Sequence, residues 1–542
     1  MNRILTLRGG WLHFPASEGV RPCYIRVCCE GRMITEKRIG ITTGPADYYV
    51  GMALTAYEGK RIELSTCDTE LRGHFDGVVS GDDMARETAL YPDLYRERLR
   101  PVWHYSARRG WLNDPNGLFF DGSLYHLYYQ HNPYSVRTGC ENMQWGHAVS
   151  CDLLSWAEQP DAVIMPDCKM EVASGSAIID RRGVAGYGKG AVIAAYTAHG
   201  SLDYRQDPPT LLTYDGQYFS YSTDGGFSFT PFPDNPIIPC AEGTTWRDPM
   251  LREMEDGSFL ACVYETHEGQ DCAAFYRSDD LHHWTRTSRT TDLHECPDFF
   301  PLEVEGTGER LWVLYGGNGS YRVGQLTDGI FTCMQEAKSI ELGSGYLYAG
   351  QTWDGDKSTR YHIAWIRGIE SHRQWNGDTG YAGAPFSQCM SAICALRLQR
   401  NAEGYAMQRT PIRAYESLRQ PDATRIDSHG TGEIRLVPET PGDLIITLRA
   451  DAPVSIRYGV LSMRYDPASG QITLSNGKSV SLYGKNVLEL RLMTDKTSAE
   501  FFMNGRVSAT LGIYPEGIPL IFSGESDIDI TGNAWKMQSI WP

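Results

Sequence analysis

The sequence has no surplus of basic residues, no CxxC pair and no apolar run long enough to cross a membrane. Its 67 acidic residues outnumber its 50 basic residues, which gives a formal net charge of -17 at pH 7. This balance disfavours nucleic acid and membranes as partners and suits a neutral substrate. The 14 cysteines are mostly scattered singly, which argues against a zinc site or a disulfide scaffold and favours free thiols.

The N-terminus also lacks the continuous apolar segment of a signal peptide, because Arg8 interrupts it. Together with the cysteine usage, this predicts a cytoplasmic protein. A secreted protein whose leader had been removed would present the same sequence, so that alternative stays open.

Aromatic and apolar residues, by contrast, are plentiful. Aromatic residues make up 11% of the 542 residues, hydrophobic residues 41% and charged residues 22%. This composition is typical of a globular protein that is rich in β-structure. The chain is too long for one hydrophobic core, and its length suggests about two to four domains.

Both ends of the chain alternate polar and apolar residues, as strands with one buried face do. The clearest examples are residues 24–27, 61–64, 444–448, 471–474 and 498–502. We therefore predict a small N-terminal β-rich accessory domain at residues 1–98. At the other end, we predict a C-terminal β-sandwich at residues 401–542.

The middle of the chain, residues 99–400, repeats a short pattern. A Ser/Asp turn that leads to an aromatic residue begins at Ser150, at Ser222 and again at Ser278. Five apolar strand-like segments lie at spacings of about 50 to 70 residues, at 125–129, 192–196, 259–264, 311–315 and 361–365. Such repeats predict a five-bladed β-propeller, in which side chains that are distant in sequence converge on one axis. The predicted fold class is thus all-β.

One turn within the repeats holds a carboxylate at a stiff corner. In residues 111–117, Trp-Leu-Asn-Asp-Pro-Asn-Gly, the proline fixes its own φ and keeps Asp114 extended. Two more carboxylates lie close to prolines, Asp248 and Glu295. Taken singly, such a group is more often a solvated surface residue. Taken together, the three supply the nucleophile, the acid/base and the sugar-holding carboxylate that glycoside hydrolysis needs.

In this order, the three motifs resemble those of glycoside hydrolase family 32, the β-fructosidases that include invertases, levanases and inulinases. The resemblance continues through residues 128–133, 142–148, 174–176 and 346–353. Residues 490–505 resemble the C-terminal module that accompanies the propeller in this family. The resemblance implies an enzyme that needs no metal or organic cofactor.

The resemblance also implies residue roles. Asp114 would be the nucleophile that forms a covalent fructosyl intermediate, and Glu295 would protonate the leaving oxygen and then activate water. Asp248 would hold fructose hydroxyls as the third catalytic carboxylate. The implied substrate-binding residues are Asn113, Gln130, Ser174, Arg247, Tyr348 and Trp365. We expect Arg247 to keep Asp248 ionised, and we expect the pKa of Glu295 to be raised by Asp114 and partial burial.

Two positions depart from the family's pattern. Cys140 and Ala173 stand where the family usually has aromatic residues that wall the fructose pocket. Each missing ring removes apolar contact worth about 1 kcal/mol or more. We expect a wider pocket, or aromatic residues supplied from elsewhere, with Trp246 and Trp375 as candidates.

The resulting hypothesis is a retaining β-fructosidase that releases terminal β-D-fructofuranosyl units from sucrose, fructo-oligosaccharides or fructan fragments. A fructosyltransferase would use the same carboxylates and is one alternative. A fructan-binding protein that has lost catalysis is another, although Asp114 and Glu295 are both present. The expected partner is a fructose-containing oligosaccharide, and the oligomeric state stays open.

Overall fold

The computed structural model describes residues 3–66, 74–139, 142–165, 168, 170–200, 202–203, 210–211, 216–240, 245–343, 345–368, 381, 383–482 and 487–542. The regular structure of these residues is almost entirely β-strand. Their only helical segments are the short 3-10 turns Thr55–Tyr57, His74–Gly77 and Arg413–Leu418. The predicted all-β class is confirmed. Within the described ranges, no helix has the length and apolar character needed to span a membrane.

Two small antiparallel sheets occupy the N-terminal part of the chain. Their strands are β1 (Arg3–Thr6), β2 (Trp11–Ala16), β3 (Cys23–Cys29), β4 (Arg32–Ile39), β5 (Tyr48–Ala53), β6 (Arg61–Ser65) and β7 (Val79–Gly81). The strand orders are β1-β6-β3-β4 and β5-β2-β7. Alternate residues such as Leu12, Ile25 and Ile62 point into a shared core, as the sequence pattern predicts.

Five sheets of four or five strands then follow one another along the chain. The first sheet contains β8 (Gly110–Phe120), β9 (Tyr125–Asn132), β10 (Gln144–Ser150) and β11 (Ala157–Val163), and the second contains β12 (Met170–Asp180), β13 (Ala191–Gly200), β16 (Gly216–Ser222), β17 (Thr230–Pro231) and β18 (Ile238–Pro239), while β14 (Leu202–Asp203) and β15 (Thr210–Leu211) form a separate two-stranded ribbon. The third sheet contains β19 (Trp246–Glu253), β20 (Phe259–His267), β21 (Gln270–Ser278) and β22 (Thr285–Thr291), and the fourth contains β23 (Asp298–Glu303), β24 (Arg310–Tyr315), β25 (Ser320–Thr327), β26 (Ile330–Cys333) and β27 (Lys338–Ser339). The fifth contains β28 (Leu347–Asp354), β29 (Arg360–Ile366), β31 (Cys389–Met390), β32 (Cys394–Asn401) and β33 (Gly404–Pro411), whereas β30 (Phe386–Ser387) belongs to the first sheet. The sheets begin with β8, β12, β19, β23 and β28.

The repeat seen in the sequence corresponds to this succession of sheets. Each of the five predicted apolar segments is a strand, and each pairs with the first strand of its sheet, as β9, β13, β20, β24 and β29. The Ser/Asp turns also recur in one form, because Asp152, Asp224 and Asp280 each accept hydrogen bonds from following backbone amides. β33 lies beyond the predicted boundary at residue 400 and pairs with β32 in the fifth sheet.

Hydrogen bonds link neighbouring first strands in turn. They join β12 to β8 (Gly175 to Asn116), β12 to β19 (Ser176 to Pro249), β19 to β23 (Arg252 to Phe299) and β28 to β23 (Thr352 to Asp298). β28 also packs against β8. In addition, β30 pairs with β8 in parallel, so chain from the end of this region joins the first sheet.

The C-terminal strands form one continuous ten-stranded sheet of order β39-β38-β37-β36-β43-β35-β40-β41-β42, with β34 paired to β43. They are β34 (Thr424–Leu436), β35 (Gly442–Ala450), β36 (Val454–Tyr458), β37 (Leu461–Asp466), β38 (Gln471–Leu474), β39 (Ser479–Ser481), β40 (Val487–Thr494), β41 (Ser498–Met503), β42 (Val507–Gly512) and β43 (Leu520–Lys536). Most of their buried apolar side chains form a single cluster. The division into three domains and the sandwich remain predictions.

A buried ionic network joins the C-terminal sheet to the segment before β8. Asp495 accepts hydrogen bonds from the backbone amides of residues 102–104, and it also contacts Nδ1 of His104 at 3.0 Å. The other ring nitrogen of His104 lies 2.9 Å from Glu500, which also pairs with Arg409. Burial opposes charge on His104, but the two carboxylates outweigh it and raise its pKa above the ordinary value.

Replacing His104 with Gln should destabilise the protein most strongly at low pH. Because the pKa of His104 is raised on folding, its stabilising contribution is complete below its unfolded pKa and is lost as the pH rises through the folded pKa. At pH 6 we expect the free energy of unfolding to fall by about 3–5 kcal/mol, since one partner of a buried ion pair is removed. Urea unfolding from pH 5 to 10 measures this difference.

His429, which is exposed on β34, provides the matched control. His429→Gln should change the free energy of unfolding by less than about 1 kcal/mol. A His104→Gln cost that stayed constant or grew with rising pH would contradict the assignment of a charged, stabilising His104.

Candidate active site

The first strands of four sheets are irregular where the predicted site residues lie. The strand register shifts between Leu112 and Pro115, Val172 and Gly175, Arg247 and Met250, and Tyr348 and Gln351. A bulge breaks the regular alternation of side chains and redirects them. The irregular stretches contain Asp114, Ser174, Asp248 and Tyr348, so these side chains do not follow the regular alternation.

Three non-glycine residues at the site have left-handed backbone conformations. Asp248 has φ of 63°, and Cys296 and Ala349 each have φ of 54°. Such conformations cost about 1–3 kcal/mol each and persist where the surrounding structure fixes them. Gly317 is part of that surrounding structure, because its N–H donates to the carbonyl of Glu295. A Cβ there would meet this oxygen at 2.8 Å.

Asp114 is half-buried and has its own set of donors. Ser174 Oγ donates to Oδ2 at 2.8 Å, and Asn113 Nδ2 donates to Oδ1 at 3.0 Å. Burial raises the pKa of Asp114 above its ordinary value, with a further contribution from the charge of Glu295, while the two donors act in the opposite direction. The geometry thus holds this carboxylate in one orientation.

Asp248 is the most deeply buried of the three carboxylates. Its backbone N–H donates to Thr197 Oγ1 at 3.0 Å, and its Oδ2 accepts from the backbone N–H of Cys296 at 3.1 Å. Burial, followed by the charge of Glu295, raises the pKa of Asp248 to about 7. Near neutral pH this group can therefore either accept or donate a hydrogen bond.

The thiol of Cys296 lies between two of the carboxylates. Its Sγ is 3.5 Å from Asp248 Oδ2 and 3.8 Å from Asp114 Oδ2. Burial, together with the charges of Asp248 and Asp114, raises the pKa of this thiol well above its ordinary value. Cys296 is thus a neutral weak donor that connects Asp114 to Asp248.

Glu295 is held from the opposite side of the site. Arg247 donates to its Oε2 from Nε at 2.7 Å and from Nη2 at 2.5 Å, and the hydroxyl of Tyr348 donates to its Oε1. Burial acts to raise the pKa of Glu295, but these partners outweigh it and lower the pKa below the ordinary value.

Two electrostatic expectations were wrong. The pKa of Glu295 is lowered, not raised, and that of Asp248 is raised despite the adjacent Arg247. The reason is that the guanidinium of Arg247 binds Glu295, whereas its Nε is 3.8 Å from Asp248 Oδ2. Successive residues of a strand point to opposite faces, so sequence neighbours need not pair.

The remaining predicted residues surround these groups. Trp365 packs edge-on against Trp111 at 6.0 Å and against Tyr348 at 6.4 Å. Trp111 also donates to Asn113 Oδ1 at 2.8 Å. Gln130 lies on β9 and is 4% exposed, and its Nε2 has no hydrogen-bond partner among the described residues. The structure therefore brings eight of the nine predicted residues into one connected group. Gln130 lies opposite the bulge of β8 that contains Asn113 and Asp114, because its neighbours His131 and Tyr129 pair with Leu112 and Pro115.

Of the four residues that bear on the expected wider pocket, the structure describes Ala173 and Trp246. Ala173 is half-buried, and its carbonyl accepts from Trp145 Nε1 at 2.9 Å. Trp246 does not replace a missing ring, since it packs in a core cluster at 5.5 Å from Tyr276. Cys140 and Trp375 lie outside the described residues.

Sequence reasoning did not identify four neighbours of the site. Cys296 and His294 flank Glu295, so their positions in that motif were the available signal. Arg367 lies over the ring of Tyr348 at 3.6 Å, and Asp271 lies 3.3 Å from His294. For these two residues, no local pattern marked a role.

The chemistry available here is that of paired carboxyl groups. Asp114 and Glu295 have separate hydrogen-bond partners, and both belong to the site that also contains Asp248 and Cys296. No cluster of three or more potential metal ligands occurs within the ranges that the structure describes. The twelve cysteines in those ranges are free thiols.

Comparisons with known proteins agree on one family. Residues 104–410 match the family model described as "Glycosyl hydrolases family 32 N-terminal domain". A levanase of Bacillus subtilis (strain 168) is 31% identical over 349 residues, which cover 60% of this chain and 48% of that protein. A levanase of Bacillus sp. (strain L7) is 26% identical over 558 residues, covering 90% of this chain and 57% of that protein.

The fold is also shared with solved structures. The crystal structure of exo-inulinase from Aspergillus awamori matches with a TM-score of 0.70 at 23% identity, covering 82% of this chain and 100% of that one. At this identity, the likeness concerns the fold. The chain spans about half the length of the two levanases it matches.

Cys296 should resist alkylation in the folded protein. Its buried, neutral thiol lies between carboxylates, whereas Cys151 is exposed, and thiolate character and access control the rate. We expect iodoacetamide at pH 8 to modify Cys296 about a hundredfold or more slowly than Cys151, measured by peptide mass spectrometry. Equal rates in urea are the control, and equal rates in the native protein would contradict the described site.

Proposed function

The chain belongs to glycosyl hydrolase family 32, and from this membership and the geometry of the site we propose that it is a retaining β-fructosidase. One observation carries the proposal. Asp114 and Glu295 lie at one site with separate hydrogen-bond partners, linked through Asp248 and Cys296. This is the division of labour that a nucleophile and an acid/base require.

In the first step, Asp114 attacks the anomeric carbon of a β-fructofuranosyl unit, and the bond to the leaving oxygen breaks. Glu295 gives its proton to that oxygen and becomes a carboxylate. Ser174 and Asn113 orient Asp114, so that little rotational freedom is lost when the reaction begins. The donors from Tyr348 and Arg247 stabilise the Glu295 carboxylate that forms.

In the second step, Glu295 takes a proton from water, and the resulting hydroxide attacks the same carbon. The ester to Asp114 breaks, and both carboxyl groups return to their starting states. Two inversions give net retention. A sugar hydroxyl in place of water would give fructosyl transfer instead, so product analysis distinguishes the two reactions.

Asp248 and Gln130 are proposed to bind fructose hydroxyls. The carboxyl of Asp248 has a pKa of about 7, which lets it serve a hydroxyl as acceptor or donor. Gln130 has a buried Nε2 without a partner, and a hydroxyl of the substrate would satisfy it. Trp111 and Trp365 would supply apolar contact with the sugar.

The proposed substrates are sucrose, fructo-oligosaccharides and levan- or inulin-type fragments. The curated relatives that the chain matches include proteins named levanase and exo-inulinase. These names support a fructan as the substrate but do not distinguish levan-type from inulin-type linkages.

The architecture around the site belongs to the same proposal. We infer that the five successive sheets are the blades of a propeller, and that the C-terminal strands fold into a β-sandwich over their apolar cluster. The hydrogen bonds between neighbouring first strands and the pairing of β30 with β8 support the first inference. The single core cluster supports the second.

Purified protein should release fructose from sucrose, kestose, inulin or levan, and Asp114→Asn and Glu295→Gln should each lower kcat/KM on sucrose. Because each variant removes a group used in the chemical step, we expect losses of about a thousandfold or more. Liquid chromatography of the products measures fructose and any transfer product.

Glu255→Gln is the matched control, since this exposed glutamate pairs with Arg310 on the surface. It should keep the wild-type rate. Absence of fructose release from all four substrates by the folded wild-type protein would contradict the proposed function, and so would full activity in the Asp114→Asn variant.

A further inference from the structure

A row of hydrogen bonds leads from Glu295 towards the surface. Tyr348 donates to Glu295, and His294 Nε2 lies 2.8 Å from the Tyr348 hydroxyl. His294 Nδ1 is 3.3 Å from Asp271 Oδ2, and the hydroxyl of Tyr264 donates to Asp271 Oδ1 at 2.7 Å. The side chains of His294 and Asp271 are 36% and 41% exposed, so the row ends in solvent.

The directions of these bonds determine what His294 must do. The hydroxyl of Tyr348 gives its only proton to Glu295, so towards His294 it can act only as an acceptor. The other ring nitrogen faces the carboxylate of Asp271, which is also an acceptor. Both nitrogens of His294 therefore face acceptors, and an imidazolium satisfies both of them.

The ring of His294 is also close to the proposed acid/base itself. His294 Nε2 is 3.6 Å from Glu295 Oε1. On the other side of Glu295, Arg247 binds Oε2. The charged and titratable groups around His294 and its partners come from several strands and are Tyr264, Asp271, Arg247, Glu295, Tyr348 and Arg367.

We propose that Asp271 holds His294 as an imidazolium, and that this cation determines how strong an acid Glu295 is. The inference rests on the proposed function of the site. A positive charge at 3.6 Å favours the carboxylate that Glu295 becomes when it gives its proton to the leaving oxygen. His294 does not touch the substrate; it acts through Glu295 and Tyr348 and is a positioning residue.

This arrangement sets the upper pH limit of the reaction. The acid step needs protonated Glu295, so kcat/KM falls once the pH exceeds the pKa of Glu295. A neighbouring cation makes this fall begin at a lower pH.

His294→Gln tests the proposal, because glutamine can still donate to Tyr348 but carries no charge. With sucrose as substrate, the alkaline fall in kcat/KM should begin at a higher pH than in the wild type. At pH 6 we expect kcat/KM, relative to its low-pH maximum, to rise about threefold to tenfold.

Asp271→Asn gives an independent variant, since it removes the carboxylate that holds the imidazolium. It should shift the profile in the same direction, and the double variant should add little to His294→Gln. His283→Gln is the matched control, because His283 is exposed and pairs with Asp280 away from the site. It should leave the profile unchanged.

Two further measurements show whether the substitutions act on the acid step and whether His294 is charged. 4-Nitrophenyl β-D-fructofuranoside has a leaving group that departs without a proton, so its hydrolysis by the variants should stay within about twofold of the wild type. Nitrogen NMR of the substrate-free protein at pH 6 should show both nitrogens of His294 protonated.

The outcomes distinguish this inference from the proposed function. An inactive wild type would contradict the function and leave the NMR result to decide the state of His294. An active wild type whose His294→Gln profile is unshifted, or shifted to lower pH, would overturn the inference. A neutral imidazole at pH 6 would overturn it as well.

Discussion

The site depends on the ion pair between Arg247 and Glu295. Three carboxyl groups at one site repel one another when ionised, and burial adds to the cost of charge. The guanidinium offsets this mainly for Glu295, which it binds at 2.5 Å and 2.7 Å, since it is 3.8 Å from Asp248. Asp114 and Asp248 receive neutral donors instead, and their pKa values are raised. One cation thereby makes the three groups chemically different.

The fold supplies the geometry in which that pairing is possible. Asp248 and Cys296 have positive φ, and a bulge in β19 turns the side chain of Asp248 out of the regular alternation. Hydrogen bonds between neighbouring first strands and the pairing of β30 with β8 keep the strands in register. The buried network around His104 fixes the segment before β8 to the C-terminal sheet. These interactions offset the unfavourable positive-φ conformations of Asp248 and Cys296.

Much of this architecture could be predicted from the sequence, because its signals are local. Apolar segments between Gly/Asp turns identified the second strand of all five sheets. The proline beside Asp114 and the motif around Glu295 located two of the carboxylates. The repeat then indicated that distant segments meet, and the family resemblance named the same residues.

The electrostatics could not be predicted, since they depend on pairs that are far apart in sequence. Arg247 precedes Asp248 but binds Glu295, which lies 48 residues further on. The contact of Cys296 with Asp114 spans 182 residues. Likewise, Asp271 and Tyr348 reach His294 from different sheets. A pattern within one segment does not show which side chains from other segments lie at the same site. The directions in which the pKa values of the carboxyl groups shift are therefore known only from the structure.

The most direct test of the account is to trap the covalent intermediate. In Glu295→Gln the base that activates water is absent, while 4-nitrophenolate can still leave without an acid. After reaction with 4-nitrophenyl β-D-fructofuranoside and acid quenching, peptide mass spectrometry should find one fructosyl unit on the peptide that contains Asp114. A fructosyl unit on Asp248 or another residue, or no modified peptide at all, would contradict the assignment of Asp114 as the nucleophile.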